Sequence, residues 1–304
     1  MDLDVTDMKM AVLLNYLRQL KPLLVHGTEI CLRSKDRLLS RVANRPDFLL
    51  PFRQKAPMII KAMQTIYSTP DRLRTPEGFW NLLIYRGVFY GSTYATEDLR
   101  WFNSFEDWEA YFNDSTKTKD GEKEKYYANI CAYGFNNIKR KTENISMYWA
   151  ECDRWTSFLE TKPGAKEMYK FLLQSKSRKE GSTKVFTNIG PLAALLICGD
   201  LIETGVLKMP DVDVWAELIY HVKKGGITGL QRLALLNDTY TEEEAVQAFS
   251  KLHNFIGQNL TEEEHLIMGY DIIMLEHALC KFSRVTRKAG GSTSAGKKRK
   301  KATK

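Results

Sequence analysis

Residues with the types and spacing to do chemistry concentrate in the second half of the chain. In the sequence VFTNIGPLAALLICGDL, Gly190 and Pro191 open an apolar helix. A glycine turn at a helix start leaves N–H groups exposed, and such groups bind phosphate oxygens. We therefore predict a hairpin at Ile189, Gly190 and Pro191 that holds a DNA phosphate. The alternative is an ordinary buried helix with a Gly-Pro entry.

A second segment, HVKKGGITGLQRL, combines cations with glycines. Lys223 and Lys224 precede Gly225 and Gly229, and Arg232 follows one helical turn later. Glycines allow close backbone approach, and cations supply charge for phosphate. These five residues are predicted to contact DNA. The alternative is a glycine-rich helix end with solvated lysines.

Three carboxylates are candidates for catalysis: Asp213, Asp200 and Glu276. A carboxylate can activate a nucleophile or stabilise developing charge. Asp200 ends an apolar helix, where an unpaired charge would be costly. Asp211 and Asp213 precede the next helix, and each is also a candidate helix cap. Glu276 lies beside the predicted core face of its helix, so the alternative for Glu276 is a solvated side chain.

The sequence predicts no metal site, no cofactor and no nucleotide kinase site. A G-x4-G-K spacing occurs at Gly291, Gly296 and Lys297, but Lys298 replaces the Ser or Thr that a P-loop uses to bind magnesium. The five histidines have no metal-ligand spacing. The five cysteines are widely spaced without a CxxC pair, which indicates a reducing compartment.

Composition and charge indicate a globular body with a basic tail. The chain has 304 residues, of which 43% are hydrophobic and 27% charged, and its net charge is +8. The 18 residues from Arg287 to Lys304 hold eight Lys or Arg and no acid, so the other 286 residues have zero net charge. This excludes a body that is basic along its whole face. The tail contains a cluster typical of nuclear import or nucleic-acid contact, the alternative being a solubilising tail: Lys297, Lys298, Arg299, Lys300 and Lys301.

No membrane segment is predicted. The start of the chain, MDLDVTD, is acidic where a signal peptide would be basic. The longest apolar run, Leu192 to Cys198, is far shorter than a bilayer requires. We therefore expect a soluble intracellular protein, nuclear if the source is eukaryotic and cytoplasmic otherwise.

The elements that must position these residues are predicted to be helices nearly throughout. Apolar spacing predicts an amphipathic helix over 8–25, ended by Pro22 or soon after, and another over 55–67. Ser104 caps a short helix over 104–112. The aromatic segment 79–94 is either a buried helix broken at Gly87 or irregular packing. T-x-x-E capping boxes at 241–244 and 261–264 start two later helices, the second running to about residue 287.

Polar stretches divide the chain. We predict an N-terminal helical part (1–112), a polar linker or loop (113–125), a helical domain with the hairpin and the glycine turn (126–286) and a basic disordered tail (287–304). A further polar break is expected at 175–184. No stretch shows sustained strand alternation. The predicted fold class is mainly α, a two-lobed helical bundle.

The order of three motifs resembles one protein family. They are G-P-x8-D-L (Gly190 to Leu201), G-x3-G-L (Gly225 to Leu230) and E-H-x-L-C-x-F (Glu276 to Phe282), followed by a basic tail. This order resembles the helical-domain family of 5-hydroxymethyl-deoxyuridine DNA kinases, also described as α-glutamyl/putrescinyl thymine pyrophosphorylases. The resemblance covers about residues 185–288. Over residues 1–180 it is poor, apart from Arg86 and the aromatic segment around it.

The resemblance implies a fold similar to helix-hairpin-helix DNA glycosylases and a role in hypermodification of thymine-related bases in DNA. The first hypothesis is thus an enzyme, or a component of one, acting on a 5-hydroxymethyl or hypermodified pyrimidine flipped out of DNA. It would be transferase-like, pyrophosphorylase-like or glycosylase-like, with a kinase or another DNA-modification enzyme as partner. Asp213 then stands where a glycosylase has its catalytic acid. Leu192 stands where a lyase-type glycosylase has lysine, which argues against Schiff-base chemistry there.

Two departures from the family favour a second hypothesis, a non-catalytic DNA-binding or adaptor module that keeps the fold. Lys223 and Lys224 replace the first two residues of the family's G-P-G turn, and Lys281 replaces the acid after the cysteine. A third hypothesis is a structural helical protein whose basic tail is only a nuclear address.

Overall fold

The computed structural model describes residues 4–114, 122–129, 132–133, 140–176 and 184–287. Within these ranges the chain is mainly α-helical and has no β-strand, apart from an isolated antiparallel bridge between Lys176 and Lys184. The predicted mainly α fold class is confirmed. None of the helices in these ranges has the length and apolar character needed to cross a membrane.

The first group of α-helices precedes residue 128, with a 3₁₀ helix at Arg53–Lys55 and a π-helix at Tyr85–Phe89. These helices are α1 (Val5–Leu20), α2 (Pro22–Leu32), α3 (Arg37–Ala43), α4 (Pro46–Leu49), α5 (Pro57–Thr65), α6 (Pro70–Leu73), α7 (Pro76–Ile84), α8 (Thr93–Glu97), α9 (Phe105–Asp114) and α10 (Lys123–Tyr127). The second group follows residue 140. It comprises α11 (Asn144–Trp149), α12 (Arg154–Glu160), α13 (Ala165–Gln174), α14 (Pro191–Glu203), α15 (Val212–Val222), α16 (Gly226–Arg232), α17 (Glu242–Asn259), α18 (Glu262–Met268) and α19 (Ile272–Val285).

Helix starts agree better with the sequence pattern than helix ends. The predicted helix over 8–25 is two helices, because Pro22 lacks an N–H and begins α2 at its first position. The predictions for α5 and α9 are confirmed, and Ser104 Oγ accepts from the Asp107 amide at 3.2 Å. Because α9 continues to residue 114 and α10 begins at residue 123, the predicted loop over 113–125 is shorter than expected. Residues 115–121 of that loop, and most of the predicted break at 175–184, lie outside the described residues.

The aromatic segment over 79–94 is a buried helix as far as Phe89; the helix continues through Gly87, where a break was predicted, and ends at Tyr90. Helix α7 passes directly into the π-helical turn at Tyr85–Phe89. A Cβ atom on Gly87, inside this turn, would lie 2.9 Å from the Tyr148 hydroxyl, so the glycine permits close packing. Irregular turns of this kind re-aim side chains, and here Arg86 is directed into the core.

Both predicted capping boxes are confirmed at the starts of α17 and α18. The prediction that the second helix runs on to about residue 287 is wrong. Helix α18 ends at Met268 because Gly269 has a left-handed φ of 60°. Asp271 then caps α19, accepting from the Met274 amide at 2.7 Å.

The buried hydrophobic residues form one connected cluster that extends from Met10 to Phe282. Helix α1 packs against α17 and α19, so the start of the described chain is part of the same core as its end. Arg18 on α1 donates to both carboxylate oxygens of Glu264 at 2.9 Å. This packing holds α14, α16 and α19, which carry the three sequence motifs, in fixed positions.

Candidate functional site

The two segments predicted to contact phosphate meet at one cavity of about 180 Å³. The cavity lies between the start of α14 and the turn from α15 to α16. No Asp or Glu is among the described residues that line it, which are Tyr133, Arg140, Asn188, Gly190, Pro191, Leu192, Ala193, Val222 and Lys224. The described lining thus combines two cations with a helix N-terminus and contains no acid.

Helix α14 presents an uncapped N-terminus to this cavity. Gly190 is the N-cap and Pro191 the first helical residue, and no side chain caps the first turn. The N–H groups of Leu192 and Ala193 therefore have no intrahelical partner, and the helix dipole adds positive charge there. Gly190 has a φ of −85°, which any residue adopts, so its conformation does not require glycine.

The turn before α14 is held in place by a buried side chain and by a hydrogen bond to its backbone. Ile189 was predicted to contact DNA, but its side chain is fully buried. Lys184 Nζ donates to the Ile189 carbonyl at 2.7 Å. Ile189 therefore anchors the turn in the core, while Gly190 and Pro191 line the cavity.

Arg140 is the most unusual residue of the lining. It is only 5% exposed, and its buried Nη1 atom has no hydrogen-bond partner in the described part of the chain. Its guanidinium lies 4.2 Å from the centre of the Tyr133 ring. That ring stacks on Tyr90 at 5.0 Å, and the Tyr133 hydroxyl donates to the Arg86 carbonyl at 3.2 Å. An aromatic ring, rather than a carboxylate, thus holds this buried cation in place.

The three cations of the glycine-turn segment differ in their positions relative to the cavity. Lys224 is exposed and lines the cavity. Lys223 ends α15 in a left-handed conformation with its amine 5.7 Å from the centre of the Tyr220 ring. Arg232 is exposed at the end of α16 and does not line the cavity. Of the three cations predicted from this segment, the structure brings only Lys224 to the start of α14.

The glycines of this turn serve helix packing. A Cβ on Gly229 would lie 2.6 Å from the Leu279 Cβ atom, and one on Gly225 would lie 3.0 Å from Glu276 Oε1. Gly225 also has a positive φ of 59°. The G-x3-G-L and E-H-x-L-C-x-F motifs therefore pack directly on each other, as α16 on α19. The prediction that Gly229 lets DNA approach the backbone is wrong, because α19 covers this glycine.

Glu276 is buried at this helix contact, so the expectation of a solvated side chain is wrong. It is 5% exposed, and burial raises the pKa of its carboxyl group, opposed by the charge of Arg53 and by the Gly226 backbone N–H. The Gly226 amide belongs to the first turn of α16. Glu276 thus stabilises the N-terminus of α16 from a neighbouring helix.

Asp200 is paired in the core with two arginines. Arg86 donates to its two oxygens from Nε and Nη2, each at 2.6 Å, and Arg53 Nη2 donates to Oδ1. The Tyr67 hydroxyl donates at 2.6 Å. Arg53 Nε also pairs with Glu203 at 2.8 Å. This pairing explains a carboxylate in an apolar helix without a catalytic role.

Asp213 is the exposed member of the three candidate carboxylates. It lies in the first turn of α15 and accepts from Ser250 Oγ at 2.6 Å. Asp211 occupies the N-cap position of the same helix without a side-chain capping bond. None of Asp200, Asp213 and Glu276 lines the cavity. The structure therefore does not bring the predicted acids to the predicted phosphate site.

Lys281, which departs from the family motif, is a buried amine. It is 3% exposed, and Nζ donates to the Asp47 carbonyl at 2.7 Å. Burial, reinforced by the charge of Arg284, lowers the pKa of Lys281 to about 7. An amine with this pKa couples folding to pH.

We expect the wild-type chain to gain stability relative to a Lys281→Met variant as the pH rises from 7 to 10. The unfolded chain keeps a proton on this amine up to its ordinary pKa, whereas the folded chain releases it above about 7. Deprotonation therefore favours the folded state, by at most about 1.4 kcal/mol per pH unit. Urea denaturation of both proteins across this range measures the difference. A constant difference would mean that Lys281 stays charged in the fold.

The described part of the chain contains no group of three or more His, Cys, Asp or Glu residues arranged to hold a metal. The tail residues predicted to contact DNA lie outside the described residues: Lys297, Lys298, Arg299, Lys300 and Lys301. Their contribution stays a prediction.

Sequence reasoning included Asn188 in the predicted hairpin, but it missed Arg140 and Tyr133. Arg140 stands in the run Lys139-Arg140-Lys141, which reads like any solvated basic stretch. Only the fold shows that this arginine is buried beside α14, some fifty residues further along the chain. Comparison with protein-family models, with characterised proteins and with solved structures finds no match for this chain.

Proposed function

We propose that this chain is a DNA-binding helical protein that holds a DNA phosphate in the cavity at the start of α14. One observation carries the proposal: the cations of Arg140 and Lys224 share the cavity with an uncapped helix N-terminus, and none of its described lining residues is an acid. Free N–H groups, the helix dipole and nearby cations together favour a phosphate group. The body of the chain has no net charge, so this local arrangement supplies what the overall charge does not.

We further propose that the protein acts on 5-hydroxymethyl or hypermodified pyrimidines in DNA, as the resemblance to the 5-hydroxymethyl-deoxyuridine DNA kinase helical domains implies. The first motif contributes Gly190 and Pro191 to the cavity, Lys224 directly before the second motif also lines it, and the second and third motifs pack on each other. The proposal includes the two-lobed, glycosylase-like arrangement and a nuclear or cytoplasmic location according to the source. A kinase or another DNA-modification enzyme would be its partner, because the sequence encodes no P-loop.

The second candidate function is a non-catalytic DNA-binding or adaptor module. Two of the three candidate acids favour it, because Asp200 is bound by two arginines and Glu276 is sealed under the glycine turn. Lys281 also replaces the acid of the family motif. Asp213 is the only one of the three candidates that is exposed.

If the protein is an enzyme, Asp213→Asn is expected to abolish turnover and to leave DNA affinity unchanged. The amide keeps the shape of the carboxylate but removes its charge and basicity. The measurement is mass spectrometry of nucleosides from 5-hydroxymethyluracil DNA after incubation, with and without a nucleoside triphosphate. Asp211→Asn is the matched control on the same helix and is expected to keep full activity.

Two other results of that experiment would change the assignment. Full activity in Asp213→Asn together with loss of activity in Glu276→Gln would move the catalytic role to α19. If the wild-type chain converts no modified base under any condition but binds DNA, the binding module is the function.

A further inference from the structure

Arg140 poses a physical problem in the free protein. A guanidinium removed from water is costly unless an anion or hydrogen-bond acceptors compensate it. In the described part of the chain Arg140 has no ion pair and no side-chain hydrogen bond, and Tyr133 offers only a ring face. A buried donor without a partner indicates a missing ligand when it lines a cavity, and Arg140 does line one.

We propose that this cavity binds the terminal phosphate of a nucleotide, a phosphate monoester, in preference to a phosphodiester within a strand. The inference deepens the proposed DNA-binding function, on which it rests, by naming the chemical class that the cavity takes. The monoester has two sources, a free mononucleotide and the 5′-phosphate at a DNA end. Both present the same dianionic group.

The charge of the lining favours a dianion. Arg140 and Lys224 contribute one positive charge each, and the N-terminus of α14 contributes roughly half a charge. A phosphate monoester carries about −1.5 to −2 at pH 7, whereas an internal diester carries a single negative charge. Because none of the lining residues that the structure describes is acidic, the monoester neutralises the site more completely.

The shape of the cavity favours the same ligand. Its volume of about 180 Å³ is below the roughly 300–1,000 Å³ of pockets that enclose whole drug-sized molecules. A monoester has one attached group and can enter phosphate first, leaving sugar and base outside. An internal diester has a sugar on each side, so both flanking nucleotides would have to enter to bring its phosphate to Arg140.

The donors available match the acceptors of a monoester. Arg140 Nη1, the amides of Leu192 and Ala193, and Lys224 Nζ can serve its three terminal oxygens. Asn188 Nδ2 is also buried without a hydrogen bond of normal geometry, beside the Tyr148 hydroxyl. The Gly-Pro motif supplies the helix start, the residue before the glycine turn supplies Lys224, and the buried Arg140 makes the site specific.

The test compares binding of four probes to the full chain: thymidine 5′-monophosphate, thymidine, and one short duplex with either a 5′-phosphate or a 5′-hydroxyl end. We expect each phosphorylated probe to bind at least about tenfold more tightly than its unphosphorylated partner. The duplex pair and the nucleoside pair separate the two sources.

Arg140→Gln is expected to remove the difference in affinity between phosphorylated and unphosphorylated probes. Arg72→Gln is the control, because Arg72 also lies over an aromatic ring, that of Trp101, but outside the cavity.

The results of this test distinguish failure of the monoester site from failure of the DNA-binding function. Equal affinity for phosphorylated and unphosphorylated probes, or an unchanged preference in Arg140→Gln, would overturn the inference. If Arg140→Gln does not fold, Lys224→Gln is the deciding variant, because Lys224 is exposed and can be replaced without disturbing the core. Its replacement must weaken the preference for phosphorylated probes at least threefold. Binding of thymidine monophosphate without binding of either duplex would support the monoester site and refute the DNA-binding function. Binding of both duplexes with equal affinity would support the DNA-binding function and refute the monoester site.

Discussion

An Asp200→Asn variant is expected to lose about 3–5 kcal/mol of the free energy of unfolding, the typical cost of removing one partner from a buried ion pair. Asp200 is 1% exposed and compensates the charges of Arg53 and Arg86. An asparagine would keep one acceptor oxygen but would direct an NH₂ group at a guanidinium donor. Urea denaturation at pH 7 measures the loss.

The control for this variant is Asp238→Asn, an exposed carboxylate on which a change of at most about 0.5 kcal/mol is expected. A stability loss at Asp200 would assign this residue to the architecture of the core. If Asp200→Asn instead keeps its stability within about 1 kcal/mol and loses base-modifying activity, Asp200 belongs to the catalytic machinery.

A Gly190→Glu variant is expected to lose duplex DNA binding by roughly 100-fold or more, the effect of an opposed charge at a desolvated ionic contact. The new carboxylate would lie at the N-cap of α14, where the phosphate is proposed to bind, and would attract Arg140 and Lys224 itself. The extended backbone at residue 190 accepts a side chain, and an acid at a helix start is favourable. The melting temperature is therefore expected to stay equal or to rise. Fluorescence anisotropy of a labelled duplex measures the affinity.

Gly164→Glu is the control for an added acid at a helix start; the flexible Glu167 side chain, whose Oε2 lies 2.9 Å from the position of the new Cβ atom, has to move aside. Gly164 is the N-cap of α13 and has nearly the same backbone angles as Gly190, but it lies outside the cavity. We expect this variant to bind DNA like the wild type. Wild-type affinity in a folded Gly190→Glu protein would assign the start of α14 to core packing alone.

Local sequence rules predicted the features that depend on neighbouring residues. The capping boxes at Thr241 and Thr261 and the proline start of α14 follow from contacts within one turn, and the structure has them. The break between α18 and α19 escaped prediction because Gly269 fits a continuous helical pattern. The helix ends there because Gly269 adopts a left-handed conformation and the Tyr270 amide donates back to the His265 carbonyl at 3.1 Å.

The site itself was predictable in part. The Gly-Pro helix start and Lys224 carry recognisable chemistry, and the structure places both at one cavity. Partners that are distant in sequence were not predictable. Asp200 could be identified as a costly buried charge, but its pairing with Arg53 joins residues 147 positions apart. Arg140 resembled a surface residue because its burial is a property of the tertiary structure alone.

Binding of a DNA phosphate at the start of α14 can be observed at the backbone itself. The measurement is a titration of the ¹⁵N-labelled full chain with a short 5′-phosphorylated duplex, followed by amide chemical shifts. We predict saturable shifts at the amides of Leu192, Ala193 and Lys224, because these residues line the cavity, and the loss of these shifts in Gly190→Glu. Saturable binding that leaves these three amides unmoved while other surfaces shift would contradict the claim.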